Sequence, residues 1–416
     1  MAHRSYVSPD GTRVLVAEMD EIGWMPCRLV PMDESSPGRW VGPPKAQCRS
    51  AAWSPDGRWM YLTSNAGGTF HIWRQRYPDG QPEQVTFGPS EEEDIALAPD
   101  GRSFITSVGS HNRTLWLHDG DGERQITSEG FALSPILSGE GKLYYLLKSG
   151  ESRAFNAGKL WVTDLESGRR EPLLPNFIIS NYDISDDGER IVFVAMDSED
   201  RPHLWLASLD RRSPPKELPS PAPSMVTFGA ADEIFVMETE GPAHFLYRVK
   251  EDGSERRKVV PEPITRYHTL EDNVDVSPDR RWVAVEVGLP STEQAVVTVK
   301  VYPVNGGPAV RICDDCTVEW GPEGKFLYVR LGFLKRLFAL PVPIGQALPS
   351  LPEIGIRIEA EALEIPGVQV IDHVPDMDYP SVIDSVRDIA PGPDPTTYVF
   401  LRTVVQRNLY RVPLAP

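Results

Sequence analysis

Nine short turns of closely related chemistry punctuate this chain of 416 residues, and few folds accommodate such punctuation. They read SPDG at Ser8 and Ser54, APDG at Ala98, SGEG at Ser138, SDDG at Ser185, GAAD at Gly229, SPDR at Ser277, GPEG at Gly321 and PGPD at Pro391. In the fullest copies proline presets φ at the second position, aspartate bonds local backbone N–H groups, and glycine supplies the φ > 0 residue before the chain turns back. Asp10, Asp56, Asp100, Asp187 and Asp279 are therefore read as structural turn residues.

The segments around each turn repeat as well. A short apolar-ended piece precedes it, such as RSAAW or NVDV, and a run of aromatic and β-branched residues follows, such as RWMYLTS or ERIVFVA. Both read as strands. A third strand carries an aromatic near a fixed offset (HIWRQRY, TLWLHDG, KLWVTDL, HLWLASL, NLYRVPL), then a tight turn and a short closing strand such as EQVT or RQIT. Forty prolines and 33 glycines scattered singly suit many short elements and argue against a helical protein.

Four antiparallel strands form a small twisted sheet that cannot bury both faces alone, and radial stacking solves that problem. The repeat spacing of roughly 40 to 50 residues is that of such an array. The expected fold is all-β: a β-propeller of four-stranded antiparallel blades, with nine units counted and eight or nine blades. One domain spans 1–416, and 341–384 is an insertion or long connection before the last unit. That final unit, Ser385–Pro416, shows only three strands, so either an N-terminal strand completes it as a ring clasp or a strand of the unit is missing from the chain.

The stretch from Trp53 to Gly88, WSPDGRWMYLTSNAGGTFHIWRQRYPDGQPEQVTFG, resembles the PD40 or TolB-like propeller repeat, and weaker copies cover nearly the whole chain. The resemblance implies a propeller that binds a protein or peptide, as the sensor or scaffold module of a larger bacterial protein such as a receptor Ser/Thr kinase. It also implies an extracytoplasmic setting. The Gly-His and Trp-Asp signals of WD40 repeats are missing from their places.

Composition narrows the partners. A formal charge of −18 repels a phosphate backbone, so nucleic acid is excluded as a partner. No run of about 18 apolar residues occurs, so no helical membrane span is expected. No GxSxG elbow, P-loop, HExxH or kinase motif is present, no cofactor is expected, and the chain is read as a monomer without catalytic residues. Histidines 71 and 203 sit at matched third-strand positions and read as structural. Cys313 and Cys316 form CDDC, read as small buried residues or a local disulfide, while Cys27 and Cys48 stand isolated.

Acidic residues at the entries to first strands are the remaining site candidates. Glu92, Glu93, Asp94, Tyr182, Asp183, Asp272, Asn273 and Arg387 are expected to ring one mouth of a central channel, where clustered negative charge favours a cation or a basic segment. Asp275 belongs to the same junction as Asp272. The alternative functions are an enzyme of lyase or glycosidase type with an acidic channel site, and an accessory propeller of a prolyl-oligopeptidase-like peptidase.

Overall fold

The computed structural model describes residues 2–20, 22–128, 130–241, 243–264, 274–287, 298–331, 336–371 and 389–414. Each of the nine turns is the hairpin between the first and second strands of a sheet. The turn chemistry is as expected: Asp10, Asp56, Asp187 and Asp279 each accept the hydroxyl of the serine two residues earlier and the backbone N–H two residues later. Asp100, whose turn begins with alanine, keeps only the backbone bond, from Arg102. Chiefly through the serine hydroxyl, the carboxyls of Asp10, Asp56 and Asp187 are held below their ordinary range.

The chain forms two compact units where the sequence was read as one domain over 1–416. The larger comprises 113–149 and 156–403, and the smaller comprises 1–112, 150–155 and 404–416. The nine turns divide between them, six and three.

In the larger unit five sheets follow one another along the chain, with first strands Ala132–Leu137, Ile178–Ile184, Pro223–Phe228, Val274–Val276 and Cys316–Trp320, the first two sheets being joined by the single pair Gly158–Ile179. Apolar residues of successive sheets pack in shared clusters: Leu146 with Phe193, Val194 with Val236, Met237 with Val285, and Val301 with Val329. A sixth sheet completes the set. It combines Ile389–Pro391 and the first part of Tyr398–Pro413 with the last part of Ser103–Asp119 and Gly122–Gln125. One of its faces packs on the fifth sheet (Phe400 with Leu337) and the other on the first (Val399 with Leu143), so six sheets form a closed ring, which is the β-propeller arrangement. The ring is clasped by residues 113–125, not by an N-terminal strand. Among the described residues of the larger unit, the sixth sheet alone joins chain segments distant in sequence.

The smaller unit holds sheets with first strands Ala2–Val7, Cys48–Trp53 and Glu91–Leu97. Its third sheet uses the opening residues of Ser103–Asp119 and the closing residues of Tyr398–Pro413. These two strands, 17 and 16 residues long, are each the fusion of what the sequence shows as a second and a third strand.

All four cysteines are paired. Cys27–Cys48 ties the first sheet of the smaller unit to the second, and Cys313–Cys316 ties the fourth sheet of the larger unit to the fifth. Within 341–384, a short helix Glu359–Leu363 precedes Gln369–Ile371, the fourth strand of the fifth sheet. The described part of this insertion is therefore a long connection inside one sheet, and the remainder lies outside the described residues.

Candidate functional site

A cavity of ≈690 Å³ in the larger unit is lined by the first strands of all six sheets and by the first turns of five of them, which places it on the ring axis. The side chains that face it follow from strand alternation. In Val274–Asp275–Val276 the valines are buried in sheet packing and the aspartate between them points to the axis. Asp183, Thr227 and Glu319 occupy the same repeat position, two residues before the turn, on three other sheets.

This position has a structural task. Asp183 Oδ2 accepts the Thr227 hydroxyl at 2.7 Å and the Phe228 N–H at 2.9 Å, and its Oδ1 accepts the Ile184 N–H at 2.8 Å. Asp275 Oδ2 accepts the Trp320 N–H at 2.6 Å. In both cases the carboxylate reaches the residue just before the turn of the next sheet. The two aspartates thus clasp adjacent sheets at the axis and satisfy backbone donors left over at the ends of first strands. Tyr182 ties the second sheet to the first, its hydroxyl donating to the Ser134 carbonyl at 2.6 Å.

The mouth of the cavity is built from the turns themselves. Arg280 stands where most other copies of the turn have glycine and adopts φ 59°, a left-handed conformation that costs a non-glycine residue roughly 1–2 kcal/mol. Its guanidinium donates to the Phe228 carbonyl at 3.0 Å and pairs with Asp186 in the turn of the second sheet. One side chain thereby braces three consecutive sheets. Asp186 and Glu323 remain substantially exposed at the mouth, Glu323 beside Lys325.

Of the residues expected to form one acidic ring, Tyr182 and Asp183 line this cavity. Glu92, Glu93 and Asp94 do not; they lie in the smaller unit, on the strand Glu91–Leu97. Glu92 is buried and bonded to His71 Nδ1 at 2.6 Å and to the Thr86 hydroxyl, Glu93 pairs with Arg407, and Asp94 pairs with Arg4. Asp272, Asn273 and Arg387 lie outside the described residues. His203 bonds Glu217 and Asp197 on the strand surface. Sequence reasoning missed Arg280, Asp186, Glu319 and Glu323, although an arginine in the glycine place of SPDR was a visible signal.

Among the described residues no group of three or more His, Cys, Asp and Glu side chains is arranged to hold a metal ion, and no helix is long and apolar enough to cross a membrane. Fold and cavity together define the class: a β-propeller with an axial cavity whose described charged lining residues are mostly acidic. Neither a protein-family model nor a curated protein sequence matches the chain. In structure it is similar to TolB from Acinetobacter baumannii, with a TM-score of 0.41 and 13% identity over 71% of this chain and 76% of that one. It is also similar to a chain of a nidogen/laminin complex (TM-score 0.39, 8% identity, 70% and 98% covered). A third similarity is to oligogalacturonate lyase from Vibrio parahaemolyticus (TM-score 0.33, 12% identity, 81% of each chain).

Proposed function

We propose that the protein is a non-catalytic binding propeller that receives a basic protein segment at the axial mouth of its larger unit. The observation that carries this reading is the charge of the cavity wall: among the described residues it presents five carboxylates, from Asp183, Asp186, Asp275, Glu319 and Glu323, against the one guanidinium of Arg280. A concave wall of one sign concentrates ligands of the other. Asp183 and Asp275 accept backbone N–H bonds, which suits a fixed wall better than a proton-transferring pair. The two disulfides support an oxidising compartment, in keeping with a sensor or scaffold module of a larger extracytoplasmic protein.

The test is fluorescence anisotropy with a labelled oligolysine peptide at increasing salt. Binding is expected to weaken with salt and to fall about tenfold in the Asp186→Asn, Glu323→Gln double variant. A control that removes the same two charges at exposed Asp210 and Glu255 separates a site from the general charge of the chain. Equal binding by both double variants, or none by the native protein at low salt, would refute the proposal.

A further inference from the structure

Among the described strands, the third sheet of the smaller unit is incomplete in a way no other sheet is. Among the described residues, eight sheets carry a fourth strand hydrogen-bonded to their third, and this one does not. Its third strand, the part of Tyr398–Pro413 from Val404 onward, pairs with Ser103–Asp119 on one side, and no described strand pairs with its other edge.

The other sheets show what such an edge accepts. Seven of their fourth strands end on, or are followed directly by, an aliphatic residue (Val41, Val85, Ile126, Leu173, Leu218, Val259 and Ile371), and the eighth, Val310–Asp314, carries Ile312 at its centre. In seven of the eight this aliphatic residue shares a cluster with an aliphatic residue of the third strand, as Val85 does with Ile72 and Leu173 with Leu160. The ladder continues through these residues, with the Val85 N–H donating to the Ile72 carbonyl and the Ile126 N–H to the Leu115 carbonyl, both at 2.8 Å.

Leu409 holds the corresponding place on the incomplete sheet, since His71-Ile72-Trp73-Arg74 matches Asn408-Leu409-Tyr410-Arg411. The seven third-strand aliphatics in those clusters are 0 to 7% exposed, and Leu409 is 76% exposed. Ile105, the counterpart of buried Tyr61 on the second strand, is 47% exposed, and Val404, Val405 and Tyr410 are exposed with it. An open strand edge flanked by uncovered apolar side chains is a template for strand addition.

We infer that the edge from Val404 to Pro413 accepts an extended segment of a partner protein as the fourth strand of this sheet, with an acidic–polar–aliphatic sequence. The aliphatic residue covers Leu409. The acidic residue is specified by Arg411, which matches Arg74; Arg74 pairs across the strands with Glu83 at 3.0 Å in the neighbouring sheet. This site is separate from the axial cavity and stands or falls without it.

The probe is a labelled synthetic peptide of the chain's own closing segment Gln81–Gly88, titrated into the full-length protein by anisotropy, with sedimentation velocity alongside. Saturable binding is expected, weakened about tenfold or more by Leu409→Asp, since that change removes the apolar surface the peptide's valine would cover. Leu409 is too exposed for that change to unfold the sheet. Arg411→Glu should also weaken the native peptide, and a peptide carrying lysine in place of its glutamate should recover the loss. Absence of saturable binding, or equal binding by the Leu409→Asp protein, would overturn the inference. So would self-association that Leu409→Asp abolishes, because the edge would then serve a second copy of the chain.

Discussion

Deleting Ile389–Pro416 should leave a protein without a cooperatively folded larger unit. The deletion removes the first two strands of the sixth sheet, and with them Tyr398, Val399, Phe400 and Leu401, all 3% exposed or less. Four such side chains contribute roughly 6–12 kcal/mol at about 1.5–3 kcal/mol each, comparable with the roughly 5–15 kcal/mol by which a whole domain is stable. The fifth and first sheets would also each lose the face that covers them. Loss of near-UV circular dichroism and early cleavage by protease are the expected results. A truncated chain that unfolds in one sharp transition near the native Tm would show that the sixth sheet is not what closes the ring.

The second large effect is expected at Phe193, fully buried on the second strand of the second sheet. Its ring meets Phe177 edge-on at 5.1 Å and lies 6.4 Å from Trp205, nearly parallel to it, while Phe177 and Trp205 meet at 5.0 Å. These aromatics belong to the cluster joining the first two sheets. Phe193→Ala should cost about 3–5 kcal/mol, through lost burial and the cavity left between sheets, and lower the Tm on the order of 10 °C. Phe193→Leu, which keeps most of the volume, should recover much of that loss in the same urea or thermal titration. A loss under about 1 kcal/mol for the alanine variant would mean the sheets slide together to fill the space.

Much of the architecture is legible in the residues because each strand–turn–strand unit encodes itself locally. Pro, Asp and Gly set the hairpin, alternation sets the buried face, and all nine hairpins stand where their turns are written. What escaped is non-local. Residues 109–113, GSHNR, read as a break between two strands, yet the backbone stays extended from Ser103 to Asp119. The cause is the partner strand, Tyr398–Pro413, which pairs with it and itself has no Gly, Pro or Asp between Tyr398 and Val412 to interrupt it. Tertiary pairing overrode a weak local turn signal.

The site was legible only in part for the same reason. Asp183 was visible as an acid near a turn, but its acceptor role depends on Phe228, 45 residues further on. Glu92, a similar acid near a similar strand, is instead consumed by His71 in a buried pair within the smaller unit. Periodicity identifies equivalent positions. It does not say which unit each copy joins.

Hydrogen exchange read by mass spectrometry tests most directly whether the nine repeats divide into a closed ring of six and a set of three, with the ring shut by residues distant in sequence. Amides of Tyr398–Leu401 should exchange as slowly as those of Ile191–Val194 in the ring interior, while amides from Val404 to Tyr410 on the open edge exchange faster within the same strand. Rapid exchange at Tyr398–Leu401, with Ile191–Val194 still protected, would contradict closure by the sixth sheet.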